Sequence, residues 1–559
     1  MDLQKNRNTP PAKWAFVLVS LCIAAYLAVF AVMNVFGFTL FCDSDTYPDT
    51  YISKLMWEQK TVFPQGWIFG NQLYVIATPV LAALFYGLTG SINWAMILAT
   101  ETMTLFIILS FLWLLRAITN SWLAASSCCL LLIASMIAPS GPYSANAQLF
   151  FLQASYYACY LITLFVVYGD YVRSFQTQKP RPIALSLSVA LSFATGMQSL
   201  RQTVIMTLPI LACECFLALR RLILHEKLWN ASVRSTFLRA TYYALANIAG
   251  VLIVNQMSIT QYTIIGDLSP VSLGTLSSRL PPVLNAFLEI SGLIYVGDPS
   301  QSWFPGFFAL VQLGLCIGGG IVWLSHIKRE KTPLEICWLL SLVGILGVCL
   351  STIVFNITIR SIYLFLYYPL VSFSALLLMQ QLKLPSNKCA AVLLLCILSL
   401  GNLFSSYRLW AEIALQNSPT LVGRAFRLAR AYGYPSMAWD SEDHVDAQNM
   451  CSWAMENGYS YLYGNWEDVP HIAVHSDGVL TAGYWYPTPD IFQLMPYLNL
   501  LDIYGADENA KALYIFTPRD EVQGIQLAVK RGATITKVAE FGKYRAYIST
   551  KPLMHFSTP

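Results

Sequence analysis

The chain has 559 residues, of which 56% are hydrophobic and only 11% are charged, and its mean hydropathy is +0.53. Soluble domains carry about 25% charged residues, so this composition excludes an ordinary soluble enzyme and a disordered chain and predicts a membrane protein. The net charge of +4 is unevenly divided: residues 1–405 hold 22 Lys and Arg against 14 Asp and Glu, whereas residues 406–559 hold 12 against 16. The 13 cysteines include no CxxC pair, so neither a disulfide framework nor a zinc site is predicted.

The first apolar run, residues 14–36, predicts an uncleaved membrane span with its N-terminus in the cytoplasm. It contains no charge, it follows Lys5, Arg7 and Lys13, and no small-residue cleavage pattern comes after it. Ten further runs are long enough to cross a bilayer, which gives about eleven predicted spans. They lie near residues 93–115, 121–138, 148–168, 183–199, 203–219, 241–264, 304–326, 334–355, 361–380 and 388–404.

Residues 72–89 form a twelfth apolar run, which Pro79 interrupts. If this run does not cross the membrane, 17 Lys and Arg of the membrane part face the cytoplasm and 5 face the outside. If it does cross, fourteen of those 17 move to the outside, against the positive-inside rule. We therefore expect a helix that lies at the outer surface, within a large first outer loop (residues 37–92) that contains two interfacial helices.

The C-terminal segment is polar enough to form a domain of its own. Eleven crossings from a cytoplasmic N-terminus end outside, so we expect residues 1–404 to form the membrane domain and residues 405–559 an extracytoplasmic domain. Helical and strand patterns alternate in this segment, which predicts an α/β domain. The helical patterns lie near residues 419–431, 445–457 and 520–531, and the strand patterns near residues 460–466, 478–485, 512–516 and 533–549.

Three carboxylates follow the first span directly, at Asp43, Asp45 and Asp49. A carboxylate that is partly desolvated and faces a cavity can accept a proton from an acceptor hydroxyl, as a general base does. The alternative is a solvated turn whose acids cap the helix that starts near Asp49. Composition alone leaves both interpretations open.

The order of segments here resembles the first outer loop of the GT-C glycosyltransferases. An acidic motif follows the first span, an amphipathic juxtamembrane helix comes next, and a Pro/Gly segment leads into an apolar surface helix that ends in LFYGLTGSINWA (residues 84–95). This superfamily includes protein O-mannosyltransferases, lipid A aminoarabinose transferases and the catalytic subunit of oligosaccharyltransferase. Its members are polytopic, and many carry a C-terminal extracytoplasmic domain, as predicted here for residues 405–559.

The resemblance implies an integral enzyme of the plasma membrane with a polytopic α-helical, GT-C-like fold. Such an enzyme moves a hexosyl or pentosyl group from a polyprenyl-phosphate donor to an extracytoplasmic glycan, lipid or protein acceptor, with inversion. In the family an acid of the first outer loop activates the acceptor, and that place is occupied here by Asp43 or Asp45. Asp43 is slightly favoured because it is closer to the span.

The resemblance also implies cationic residues that hold the donor phosphate. Arg201 lies in a very short outer turn between two predicted spans, and Arg360 stands at the outer mouth of another, followed by Tyr363 and Pro369. An arginine at a helix end is often only a snorkelling anchor, which is the alternative for both. Charge placement disfavours arginine on the outer side, however, and a guanidinium suits bidentate phosphate binding.

No cofactor is expected. The oligosaccharyltransferase branch completes a metal site with an acid in the second outer loop, whereas residues 139–147 of this chain contain none. A divalent cation held by the first-loop acids together with Glu58 or Asp298 is the weaker alternative. Glu101 lies in the outer half of its span and is a further accessory candidate, because carboxylates inside spans are costly and often functional.

Two other functions compete with the transferase. A lipid-linked glycan polymerase or ligase would also use a polyprenyl carrier, but such enzymes place their largest outer loop late in the chain. A transporter or flippase requires inverted repeats and ionisable residues near the midplane, and the sequence shows no correspondence between its halves. No nucleotide fingerprint occurs, and no nucleic-acid partner is predicted.

Overall fold

A computed structural model describes most of the chain, including the membrane helices and the C-terminal sheet. The described residues are 10–65, 67, 69, 72–137, 150–152, 154–176, 181–227, 231–257, 269–296, 303–355, 357, 359–414, 441–485, 512–551 and 553. The predicted helix at residues 419–431 and the accessory candidate Asp298 lie outside them, as do residues 139–147.

Long helices dominate the first three quarters of the chain. They are Pro10–Phe41 (α1), Thr46–Gln59 (α2), Thr78–Thr89 (α3), Ile92–Ile118 (α4), Trp122–Met136 (α5), Ala158–Gln176 (α6), Pro182–Gln198 (α7), Leu208–Ile223 (α8), Ala231–Gln256 (α9), Leu276–Ser291 (α10), Trp303–Ser325 (α11), Pro333–Val354 (α12), Tyr367–Gln381 (α13) and Pro385–Ala414 (α14). A short π-helical turn, Thr203–Thr207, leads into α8, and a 3₁₀ turn, Ser361–Leu364, precedes α13.

Eight stretches of the described helices are long and apolar enough to cross a membrane. They are Lys13–Thr39, Ile92–Ile118, Thr203–Ile223, Val233–Gln256, Trp303–Ser325, Pro333–Val354, Ser361–Gln381 and Pro385–Ser405. Three shorter apolar helices, α3, α5 and α7, accompany them. The polytopic helical architecture is therefore confirmed, whereas the count of eleven crossings stays a prediction.

One predicted span is displaced along the chain. The apolar run at residues 148–168 predicts a helix there, but helix α6 begins only at Ala158 and continues to Gln176. The residues just before it, including Tyr156 and Tyr157, belong to a turn that packs among the helices. Hydropathy cannot separate a buried apolar turn from a span, because both remove the same side chains from water.

Helices α7 and α9 pack with their backbones in close contact. A Cβ added at Gly196 would lie 2.1 Å from the carbonyl oxygen of Asn247, and one added at Gly250 would lie 2.2 Å from that of Phe193. Small residues allow this approach in membranes, where dispersion contacts rather than the hydrophobic effect hold helices together. The packing fixes the end of α7, from which the turn that carries Arg201 departs.

Within the described residues 441–485, 512–551 and 553, the C-terminal part folds as a five-stranded sheet with three flanking helices. Its elements are Ser441–Glu456 (α15), Tyr461–Asn465 (β1), Val469–Ala473 (α16), Thr481–Trp485 (β2), Ala512–Phe516 (β3), Glu521–Lys530 (α17), Ile535–Phe541 (β4) and Tyr544–Ser549 (β5). The strand order is β2-β1-β3-β5-β4; β1 is parallel to β2 and β3, and β5 is antiparallel to β3 and β4. The predicted α/β character is confirmed, and each predicted strand segment is found.

The two faces of this sheet are buried in different hydrophobic cores. Residues such as Leu462 and Ile515 pack into a core that also contains side chains of α2, α3 and the start of α4. Tyr463 and Tyr514, which alternate with them along the strands, belong to a separate core on the other face. The C-terminal sheet is therefore packed against the loop that carries the acidic motif.

Candidate active site

Helix α2 begins with a cap that uses Asp43. The Asp43 Oδ1 atom accepts hydrogen bonds from the Thr46 N–H at 2.8 Å, from the Thr46 hydroxyl at 2.8 Å and from the Asp45 N–H at 3.1 Å. These bonds satisfy N–H groups that the first turn of a helix leaves without partners. The structure therefore gives Asp43 the capping role that the sequence left open.

Asp45 lies beside this cap and stays accessible to solvent. Protein surrounds its carboxylate on several sides, and this desolvation raises the pKa of Asp45 to about 6. The charge of Asp43 adds to the rise, and that of Arg360 opposes it. Asp45 is thus an accessible carboxylate whose proton affinity suits a general base near neutral pH.

Asp49 is one helical turn further along α2 and is only 2% exposed. The Tyr74 hydroxyl donates a hydrogen bond to its Oδ1 atom. Burial raises the pKa of Asp49 to about 8, although the bond from Tyr74 works in the opposite direction. Asp45 and Asp49 therefore form a pair of carboxyl groups on one side of α2, since residues four apart are neighbours on a helix.

Arg201 is held by two tyrosines in the turn after α7. Its guanidinium donates to the Tyr157 hydroxyl at 3.2 Å and to the Tyr363 hydroxyl at 3.4 Å. It also lies over both rings, 5.4 Å from the centroid of Tyr157 and 4.8 Å from that of Tyr363. The structure thus brings together Arg201 and Tyr363, which are 162 residues apart in sequence.

The charges of both arginines and of Asp45 act on one hydroxyl group, that of Tyr157. Burial raises the pKa of Tyr157 to about 12, and the positive charges of Arg201 and Arg360 oppose that rise. Asp45 and Tyr363 raise the pKa of the same hydroxyl further. Arg360 itself is exposed at the start of the 3₁₀ turn. The two arginines and Asp45 therefore lie within electrostatic range of one hydroxyl, in the turn before α6.

The other sequence candidates lie elsewhere. Glu58 is exposed near the last turn of α2, about 20 Å along the helix from Asp45. Glu101 accepts a 2.6 Å hydrogen bond from the side-chain amide of Asn34 on α1. The same amide also donates to the carbonyl oxygen of Phe151, so Glu101 belongs to a contact between helices.

Gln198, at the end of α7, is a site-supporting residue that the sequence did not single out. Its Oε1 accepts from the N–H groups of Val75 at 3.3 Å and Ile76 at 3.2 Å, and its backbone carbonyl accepts from the Leu73 N–H at 3.0 Å. These bonds fix the segment that carries Tyr74. A glutamine at the end of an apolar helix was the available signal, because a buried amide requires partners.

Helix α2 also contacts the C-terminal domain, through the face opposite to its carboxyl pair. The Tyr47 hydroxyl donates to the Leu480 carbonyl at 3.0 Å, the Tyr51 hydroxyl is 2.9 Å from the Thr481 hydroxyl, and Lys54 donates to the Gly478 carbonyl at 2.9 Å. The three α2 residues follow a helical spacing of four and three. Helix α2 therefore lies between the C-terminal domain and the site.

The carboxylates at the start of α2 are the candidate metal ligands of the site. Among the residues that the structure describes, no group of three or more His, Cys, Asp or Glu side chains is arranged to hold a metal ion. The charged and titratable neighbours of the carboxyl pair on α2 include Asp43, Arg360 and Tyr74.

The fold is similar to that of known membrane proteins, although the sequence is not. No protein-family model matches the chain, and no curated protein matches it in sequence. ArnT from Cupriavidus metallidurans, solved bound to undecaprenyl phosphate, superimposes with a TM-score of 0.52 at 9% identity over 96% of this chain and 99% of ArnT.

Two further structures share the arrangement more loosely. ArnT in the apo state gives a TM-score of 0.42 at 11% identity, over 96% of this chain and 98% of that one. The oligosaccharyltransferase AglB from Archaeoglobus fulgidus, in complex with an inhibitory peptide and a dolichol-phosphate, gives 0.43 at 10% identity, over 91% and 70%. The end-to-end match with the first ArnT structure shows that this chain shares the fold of that protein.

Proposed function

We propose that this protein is a membrane glycosyltransferase that moves a sugar from a polyprenyl-phosphate donor to an acceptor hydroxyl outside the cytoplasm. The fold supports this proposal, because ArnT, which it resembles over its whole length, was solved with a polyprenyl phosphate. Fold alone does not fix a function, because the function depends on the residues of the site.

The observation that carries the proposal is that the charges of Arg201, Arg360 and Asp45 all act on the hydroxyl of Tyr157, to which Arg201 donates a hydrogen bond. A glycosyl phosphate requires a cationic group for its phosphate and a carboxylate on the side of the acceptor. Two guanidinium groups meet the first requirement, since their planar forks match phosphate oxygens. Asp45 meets the second, because it is accessible and ionises near pH 6.

The reaction is a single displacement at the anomeric carbon. The acceptor oxygen forms a bond to that carbon while the bond to the phosphate oxygen breaks, and the acceptor proton passes to the Asp45 carboxylate. The polyprenyl phosphate leaves with the electron pair, and the two arginines stabilise its growing negative charge. One displacement inverts the configuration at the anomeric carbon.

We assign the base to Asp45 rather than to Asp43, which sequence position had slightly favoured. The Oδ1 atom of Asp43 already accepts three hydrogen bonds at the start of α2, so this carboxylate is engaged in capping the helix. The assigned step uses no metal ion. We also retain the predicted topology, in which α2 and the C-terminal domain face the outside of the plasma membrane.

A lipid-binding experiment tests the proposal. Undecaprenyl phosphate binding is measured with the full-length protein in nanodiscs, for the native chain and for Arg201→Ala and Arg360→Ala. Losing a charge-assisted hydrogen bond costs about 1.5 to 3 kcal/mol, so each variant is expected to bind about 10- to 100-fold more weakly. Lysine in place of either arginine is expected to restore binding only in part, because it offers a point charge.

Arg221→Ala is the matched control, since Arg221 lies about 30 Å along the helical path from Arg201, in the last turn of α8. It should bind the lipid as the native chain does. Unchanged affinity in both site variants would refute the assignment of the phosphate site.

A further inference from the structure

Asp49 is a buried acid to which the proposed reaction gives no role. Its side chain is 2% exposed, and its hydrogen-bond donor is the neutral hydroxyl of Tyr74. Within the described part of the chain, no Lys or Arg forms an ion pair with it. A carboxylate buried without a cation is strongly disfavoured, so the surroundings of Asp49 favour its protonated form.

The ionisable groups around Asp49 reinforce this preference. Its own helix start supplies Asp43 and Asp45, the segment before α3 supplies Tyr74, and the turn before α6 supplies Tyr156. Two of these groups carry negative charge, and the tyrosines are neutral near pH 7. Burial together with the two acids raises the pKa of Asp49 to about 8.

Asp49 nevertheless lies close to the charged part of the site. It is four residues from Asp45 on the same side of α2, and its charge acts on Tyr156, on which Arg201 also acts. Ionisation of Asp49 would therefore add a negative charge near the arginines to which the donor phosphate is assigned. A charge added within about 10 Å at an effective dielectric constant of about 20 changes the affinity for an anion about tenfold.

We propose that Asp49 is a charge-controlling residue of the donor site, whose carboxyl, buried against Tyr74 one turn from Asp45, must be protonated for tight binding of an anionic lipid phosphate. This inference rests on the proposed function. Donor binding then has two requirements. Two cations must hold the phosphate, and Asp49 must not add its negative charge to those of Asp43 and Asp45.

The affinity for undecaprenyl phosphate is measured in nanodiscs for the native protein and for Asp49→Asn. The measurements run from about pH 6.5 to about pH 9, a range that includes the pKa of Asp49. Asparagine has the shape of the protonated acid and cannot ionise. The native affinity is expected to fall about tenfold relative to the variant over this range. Titration of the lipid phosphate itself affects both proteins equally and cancels in the ratio.

Tyr74→Phe provides a second, independent measurement. The Tyr74 hydroxyl stabilises ionised Asp49, so its removal is expected to move the loss of affinity to higher pH. A purely structural defect would lower the affinity at every pH and would leave the midpoint unchanged. If either variant fails to fold, the other decides the question.

A native-to-variant ratio that does not change with pH, or an unmoved midpoint in Tyr74→Phe, overturns the inference about Asp49 alone. Failure of the native protein to bind undecaprenyl phosphate at any pH, or unchanged binding in both Arg201→Ala and Arg360→Ala, defeats the proposed function instead. The two failures are therefore distinguishable in one set of measurements.

Discussion

At the scale of single residues, Tyr157 organises the charges of the site. It accepts a hydrogen bond from Arg201, and the charges of Arg360 and Asp45 also act on its hydroxyl. Among the described residues, no ion pair joins Asp45 to Arg201 or to Arg360. The arginines stay available for an anion and Asp45 for a proton.

Replacing Asp45 by Asn is expected to lower turnover by about 10²- to 10⁴-fold, the usual contribution of a general base, while the lipid still binds. The base acts as the carboxylate, so turnover at saturating donor should be constant above about pH 7 and fall about tenfold per pH unit below about pH 5. Radiolabelled sugar transfer against pH measures both effects.

Glu58→Gln is the matched control for this substitution, since Glu58 is an exposed acid near the other end of the same helix. It should keep native turnover. If Asp45→Asn kept the native pH profile of turnover, another group would have to be the general base.

At the scale of elements, α2 has one face for the site and another for the C-terminal domain. Asp45 and Asp49 are on the first, and Tyr47 and Tyr51 on the second. The spacing of these residues was readable in the sequence, but their partners were not, because the contacts of Tyr47 and Tyr51 lie more than 400 residues away. Local pattern predicts a helix and its faces, whereas tertiary structure decides what each face contacts.

The double variant Tyr47→Phe/Tyr51→Phe is expected to loosen α2 and lower turnover several-fold. Each lost hydrogen bond contributes about 0.5 to 1.5 kcal/mol, and the misplaced carboxylate no longer aligns with the acceptor. Limited proteolysis should cleave the C-terminal domain faster. Tyr86→Phe, on the neighbouring helix α3, is the control, and equal behaviour of the two proteins would show that this contact does not support the site.

The contact between α7 and α9 leads to a prediction about folding. Gly250→Ala places a methyl group 2.2 Å from a backbone oxygen, so the helices must separate, and the yield of folded protein is expected to drop sharply. Gly314→Ala, in α11, meets nothing within 4 Å and is expected to fold normally. Size-exclusion chromatography after extraction measures both, and a normal yield of Gly250→Ala would mean that the packing is looser than described.

At the scale of the whole molecule, the sequence predicted the membrane helices, the acidic motif and the C-terminal sheet, because each leaves a local pattern of hydropathy or charge. It singled out Tyr363 beside Arg360, but it did not predict Tyr157, the contacts of these two tyrosines with Arg201, or the support from Gln198. Tyrosine occurs equally well in spans, turns and strands, and its neighbours come from distant segments. The apolar run around residues 148–168 hid a turn for the same reason.

The structure also constrains topology. The Ser91 hydroxyl donates to Asp477 at 2.9 Å, so the start of α4 and the C-terminal domain lie on one side of the membrane. We expect Lys60→Cys and Val479→Cys to react with an impermeant thiol reagent from outside intact cells, and His225→Cys to react only after lysis. Cys215, the exposed native cysteine, is replaced by Ser in this background. Labelling of His225→Cys in intact cells would show that the orientation in the membrane is the reverse of the proposed one.

The bond between Ser91 and Asp477 has a consequence for biogenesis. Asp477 also accepts from the Asn93 N–H at 3.0 Å, so a carboxylate 384 residues downstream completes the start of α4. At a synthesis rate of about 5 to 20 residues per second, roughly 20 to 80 seconds separate the two partners at the ribosome. Until then α2 and α4 lack their final contacts. A nascent chain arrested before Asp477 carries every proposed reactive residue yet lacks the hydrogen bonds that join the C-terminal domain to the start of α4.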